Sequence, residues 1–176
     1  MPDKVDETEV IEKLNSTTSV RAFIVVAVSI FNEAVEGLMH RIFQKDNFAV
    51  QSVVGPLLHD TGPLGDVSVR LKLLFGLGVI PDAVYHDIED IIKLQHKLNA
   101  DLSDHEFTTP AILEAIQKLR LIQKMGTVQF AVLEPEVGGD LEFYQLQQLR
   151  QQQVIKSSLA LAVVDICHEL NKDSPF

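Results

Sequence analysis

Apolar residues recur every three to four positions from Val20 to Ile42, and this run constrains the fold more than any other feature of the chain. Val20, Phe23, Ala27, Phe31 (with Ile30 beside it), Ala34, Leu38 and Ile42 form one helical stripe. Residues 22–28 are apolar all round, which places the middle of this helix inside a bundle and not at its edge. A helix of that kind has to be surrounded, and the rest of the chain supplies partners with the same period.

Ser16, Thr17, Thr18 and Ser19 offer capping side chains before the central helix, after a short first helix near Glu7 to Leu14. Phe48 to Leu58 is a second apolar stretch that ends near Pro56. The Thr61-Gly62-Pro63-Leu64-Gly65-Asp66 segment reads as a turn, with Asp66 where an N-cap belongs. Val67, Leu71, Leu74 and Leu77 share a face in the helix that follows, and Gly78 is placed to close it. Pro81 suits the first turn of the next helix, which carries Val84, Ile88, Ile91, Ile92, Gln95 and Leu98. Thr109-Pro110 opens another helix, with Ile112, Ala115, Ile116 and Leu119 inward.

The pattern fails between Lys124 and Asp140, around Gly126, Pro135, Gly138 and Gly139, which reads as a long loop. The final helix, about Leu141 to Asn171, buries Ile155, Leu159, Ala162, Ile166 and Leu170. No stretch alternates as a strand would. The expected fold is all-α: a single-domain, multi-helix bundle of about seven helices over residues 1–176, with 1–18 as a short helix and cap and the core in 19–172.

Charge narrows the function. The net charge is -10, from 25 acidic against 15 basic side chains, which opposes DNA at long range. The densest basic group, Lys118, Arg120 and Lys124, falls short of the roughly 6–10 phosphate contacts of a committed DNA binder. Its members also point in different directions on a helix, as a solvated surface does. No helix-turn-helix with a basic second helix stands out. The acidic start, Asp3, Asp6, Glu7, Glu9 and Glu12 against Lys4, is the opposite of a secretory signal. The apolar run Ala22 to Phe31 is shorter than the ~20 residues of a membrane span. With Cys167 as the one cysteine, a reducing, cytoplasmic setting is expected.

The run Gly62-Pro63-Leu64-Gly65-Asp66-Val67-Ser68-Val69-Arg70-Leu71-Lys72-Leu73-Leu74-Phe75-Gly76-Leu77-Gly78-Val79-Ile80 resembles the signature of the mannitol operon repressor family. Val20 to Leu58, with Phe43-Gln44-Lys45-Asp46-Asn47 and Ala49-Val50, and the Phe107-Thr108 stretch are similar to the same family. The resemblance implies a helical bundle and a role in lowering expression of mannitol uptake genes. The signature also resembles a broader class of helical nucleotide-binding proteins with RNA-cleaving members, which use an arginine followed four to six residues later by a histidine. Here Gln95 and Ala100 stand at those positions, with His96 nearby, so any such relationship is to a degenerate, inactive member.

Taken together, the residues predict a repressor-type regulator with no catalytic, cofactor or metal site, working through a protein partner such as a DNA-binding regulator or a sugar-uptake component. Direct DNA or membrane binding is not expected, and the abundance of apolar surface is compatible with a homo-oligomer. The predicted partner surface is the turn, Gly62, Pro63, Gly65 and Asp66, with Asp87 and Asp90 from an acidic stretch between His86 and Glu106.

Other groupings read as ordinary structure. Asp66 would occupy the anion position of a phosphate cradle, and Arg70 four residues later fits an ion pair with it. His86 and Asp90 share a helix face but lack two further ligands. Asp165 and His168 resemble one half of a di-iron motif whose second copy is missing, and Glu36 and His40 have the wrong spacing for it. Cys167 reads as a packed apolar residue. The glutamines between Gln145 and Gln153 read as a polar face, with Leu146 and Leu149 packing inward.

Overall fold

The computed structural model describes residues 4–43, 47–125 and 139–173, and in these the chain is helical with no strand. Eight helices run in the order α1 (Glu7–Asn15), α2 (Val20–Ile42), α3 (Phe48–Leu58), α4 (Val67–Gly76), α5 (Asp82–Ala100), α6 (Pro110–Gln117), α7 (Arg120–Lys124) and α8 (Leu141–Leu170). The expected loop between Lys124 and Asp140 lies largely outside the described residues.

The central helix is α2, which packs against α1, α4, α5 and α8. Its stripe is buried from Val20 to Leu38 and half-buried at Ile42, and Phe23 meets Phe107 edge-on at 5.6 Å. The helix spans the predicted stripe, but the exclusion of a membrane span on length needs correction. The helix has 23 residues and a mean hydropathy of 1.7 in its most apolar window, enough by length and composition to cross a membrane, and 56% of that window is buried inside the protein. Asn32 and Glu33 end the apolar run without ending the helix, so counting only from Ala22 to Phe31 undercounted it.

Helix starts follow local chemistry. Asp6, Ser19, Asn47, Asp66 and Asp140 each accept a backbone N–H of the first turn they precede. Gly78, at φ +71°, closes α4 in the left-handed conformation where a side chain would be strained. Pro81 sits one position earlier than expected, as the N-cap of α5. Pro56 lies inside α3, which continues to Leu58.

The apolar core is continuous from Val10 to Leu170 and begins earlier than residue 19. Val10 and Leu14 are buried because α1 lies along α8 and α2, and Asn171 fastens its start by exchanging hydrogen bonds with the Val5 N–H at 3.0 Å and carbonyl at 2.7 Å. In α8 the buried residues Ile155, Leu159, Ala162, Ile166 and Leu170 match the predicted stripe. Its first half does the reverse of what was expected. Leu146 and Leu149 face solvent, while Tyr144, Gln147, Gln148 and Gln151 are half-buried.

Candidate functional site

The glycine-proline turn folds back onto the end of α3. The Leu64 N–H donates to the Leu57 carbonyl at 2.8 Å, and the Gly62 N–H donates to the His59 carbonyl at 2.7 Å. A Cβ on Gly62 would stand 2.3 Å from the Pro56 carbonyl oxygen, and one on Gly65 would stand 2.4 Å from that of Asp60. Both glycines are therefore required by close backbone approach, not by recognition of a ligand. Asp66 caps α4 by accepting the Ser68 N–H at 2.7 Å. Pro63 and Asp66 remain exposed.

Arg70 does not form the ion pair with Asp66 that its spacing suggested. Its side chain is buried, and it donates from Nε to the Leu64 carbonyl at 2.5 Å and from Nη2 to the Leu58 carbonyl at 2.7 Å. The guanidinium thus locks the turn to the C-terminal end of α3, where unpaired carbonyls and the helix dipole favour a cation.

The same device recurs. Arg21 donates to the carbonyls of Leu98, Asp101 and Ser103 at the end of α5. Arg41 donates to Leu170 and Lys172 at the end of α8, and Lys156 to Asn15 and Thr17 at the end of α1. Lys4, Lys13, Lys93, Lys118, Arg120 and Lys172 lie within 4.0 Å of carboxylates. Much of the positive charge in the described residues is thereby committed inside the molecule. Of the basic trio singled out in the sequence, Lys118 pairs with Glu114 at 2.8 Å and Arg120 lies 3.9 Å from Asp82.

The acidic stretch is only partly a surface. Asp87 is fully buried, so it cannot be presented to a partner; its Oδ1 and Oδ2 accept the N–H groups of Arg120 at 2.8 Å and Leu121 at 2.9 Å, forming the start of α7. Burial pushes its carboxyl above the usual range, opposed by those two N–H groups and the Arg120 charge. Asp90 stays accessible and pairs with Lys93 at 3.6 Å. His86 pairs with Asp82 at 3.2 Å and not with Asp90. Tyr85 and Phe75 stack at 4.4 Å, covering this end of α5.

Asp101, Ser103 and His105 come together beyond α5 and bear on catalysis. Asp101 accepts from the Ser103 hydroxyl at 2.5 Å and meets His105 Nε2 at 2.7 Å, while Ser103 Oγ lies 3.3 Å from the same Nε2. A nucleophilic relay needs the carboxylate and the hydroxyl on opposite ring nitrogens. Here both address Nε2, and Nδ1 is buried without a hydrogen-bond partner among the described residues. The cluster is a turn that stabilises the Asp101 carboxylate, not a nucleophile with its base.

His168 pairs with Glu7 at 3.0 Å rather than with Asp165, and His40 lies 3.6 Å from Glu36. Among the described residues no group of three His, Cys, Asp or Glu is placed to share a metal ion. Cys167 is buried, and burial, reinforced by Glu7 and Glu33, pushes its thiol up to about 12.

The apolar stretch from Phe48 to Leu58 was legible in the sequence, but its exposure was not. Phe48, Val53 and Leu57 project into solvent from a helix with no charged residue, and Leu58 is its one buried side chain. An apolar run without polar alternation reads as core, and only the packing reveals that nothing in the described chain covers this face.

The mannitol repressor family model matches residues 6–171. The chain belongs to the mannitol repressor family. It is 37% identical over 171 residues to the mannitol operon repressor of Escherichia coli K12, covering 97% of this chain and 85% of that protein. It superposes with a TM-score of 0.86 and 36% identity on MtlR in the solved MtlR-HPr complex from Escherichia coli, covering 94% of this chain and 98% of that one. A more distant relative, 27% identical over 93% of this chain and 96% of its own length, carries the name Fumarase E in Shigella flexneri. The Gly62 to Ile80 run, which lies within the matched residues, comprises the turn, its Arg70 lock, α4 and the approach to α5.

Proposed function

We propose that this mannitol repressor family member acts by docking a protein and not by gripping DNA itself. The observation that carries this reading is the likeness along nearly the whole chain to MtlR as solved with HPr. HPr, or a protein with the same surface chemistry, is the proposed partner. The internal commitment of Arg21, Arg41, Arg70 and Lys156 to backbone carbonyls supports the reading, because a DNA binder needs such side chains on phosphates.

The docking surface we favour is the exposed side of the turn, Pro63 and Asp66, continued by Phe48, Val53 and Leu57 on α3, with Asp90 as a second accessible position. Gly62, Gly65 and Asp87 act behind it by holding the backbone. A single helical unit in the cytoplasm, without catalytic activity, completes the reading. The Asp101-Ser103-His105 arrangement supports the absence of hydrolytic catalysis, and the likeness to Fumarase E is the weaker of the relationships found.

Titration calorimetry with purified HPr, beside a gel shift on mannitol promoter DNA at two salt concentrations, tests the proposal. Binding of HPr without retardation of DNA is expected. Val53→Asp with Pro63→Glu should weaken HPr capture while leaving the melting temperature unchanged. Tight, salt-sensitive retardation of DNA by the protein alone would overturn the mechanism. Fumarate hydration or RNA cleavage by the purified protein would overturn the non-catalytic part.

A further inference from the structure

The first half of α8 is turned inside out. Phe143 is 61% exposed, Leu146 47% and Leu149 62%, whereas Tyr144, Gln147, Gln148 and Gln151 lie half-buried against the protein. A helix that sends glutamines inward and a phenylalanine and two leucines outward leaves an apolar stripe in water. The charges around the stripe indicate what covers it.

Between Leu141 and Ile155 the charged residues are Glu142 and Arg150, both exposed. They stand four positions before and after Leu146, while Phe143 and Leu149 stand three before and after. At 3.6 residues per turn, Glu142 and Arg150 fall about 40° to either side of Leu146, and Phe143 and Leu149 about 60°. The stripe is therefore symmetric in position and opposite in charge about one residue.

We propose that a second copy of this chain covers the stripe, with the two α8 helices antiparallel across a two-fold axis at Leu146. That operation brings position 146 minus n level with position 146 plus n of the other copy. Glu142 comes level with Arg150 of the second copy, Phe143 with its Leu149, and Leu146 meets Leu146 at the axis. At interaxial distances of about 8–10 Å, both charged side chains reach across the seam. The reciprocal contacts repeat on the other side, as an isologous interface requires. A parallel pairing would set Glu142 beside Glu142 and Arg150 beside Arg150, which like-charge repulsion disfavours. The stripe from Glu142 to Arg150 spans about two and a half helical turns, a contact toward the small end of specific interfaces, so the dimer is concentration-dependent.

Sedimentation velocity of the full chain over a wide concentration range tests this, with circular dichroism confirming that each variant is folded. The wild type should move from monomer to dimer. Arg150→Glu and Glu142→Arg each place like charges across the seam at two symmetric sites, and each should weaken self-association by about tenfold or more. An equimolar mixture of the two variants restores both ion pairs and should dimerise. Leu146→Asp, at an exposed position that leaves the core intact, should abolish the dimer. A wild type that stays monomeric throughout would overturn the proposal. So would single variants that associate as the wild type does, or a mixture that fails to rescue.

Discussion

Asp87 on α5 accepts the backbone N–H of Arg120, 33 residues further along the chain, at 2.8 Å, and its second oxygen takes the N–H of Leu121 at 2.9 Å. A buried carboxylate from one helix thus serves as the N-terminal cap of another. The helix it starts, α7, has five residues and no capping side chain of its own, so it depends on this distant group. Asp87→Ala strands two partly buried donors and should cost about 2–4 kcal/mol. Asp87→Asn keeps one carbonyl acceptor and should cost about half as much. Urea unfolding measures both, and an alanine variant as stable as the wild type would remove Asp87 from the scaffold.

Asp101 sets a pH dependence. The Ser103 hydroxyl and N–H, followed by His105, hold its carboxyl far below the ordinary value of 3.8. Because the folded value is depressed, the stabilisation is complete above the unfolded value and is lost as pH falls through the folded one. Melting temperatures recorded from neutral pH down to about pH 2 should show a decline that Asp101→Asn makes shallower. Parallel curves for the two proteins would mean that the loop interactions do not persist in solution.

The turn separates scaffold from surface. Gly62→Ala and Gly65→Ala each drive a Cβ into a backbone carbonyl at 2.3 and 2.4 Å and should destabilise by about 1–3 kcal/mol. Pro63→Ala, on the exposed crest between them, should fall within about 0.5 kcal/mol. Equal effects at all three positions would show that the crest is as structural as the glycines.

The helices were legible in the sequence because their apolar spacing and their caps, such as Asp66, Gly78 and Thr109-Pro110, are local signals. The roles of single polar residues were not. Asp87 and Arg70 resemble surface charges until tertiary packing brings Leu121 to the one and Leu58 to the other. Their partners lie outside any helical window, so no periodicity could reveal them. The first half of α8 misled in the opposite sense, and most of α3 shows the same limit. Leu146, Leu149, Phe48 and Val53 are apolar residues that the described fold leaves uncovered. Periodicity tells which residues avoid water but not whether the chain or a partner shields them.

Cys167 offers a direct probe of the core. The thiol sits on the buried face of α8, and burial, with the nearby Glu7 and Glu33 charges, pushes it up to about 12. Thiolate is the reactive form, so the native protein holds almost none of it at neutral or mildly alkaline pH. A disulfide reagent added at about pH 8 should label the folded protein only as fast as it opens, and should label it at once in denaturant. Because α1 covers this part of α8, a variant that loosens α1, such as Val10→Ala, should speed native-state labelling by about tenfold or more. If Val10→Ala labels at the wild-type rate while its global stability falls, the thiol is exposed by an opening that leaves α1 in place.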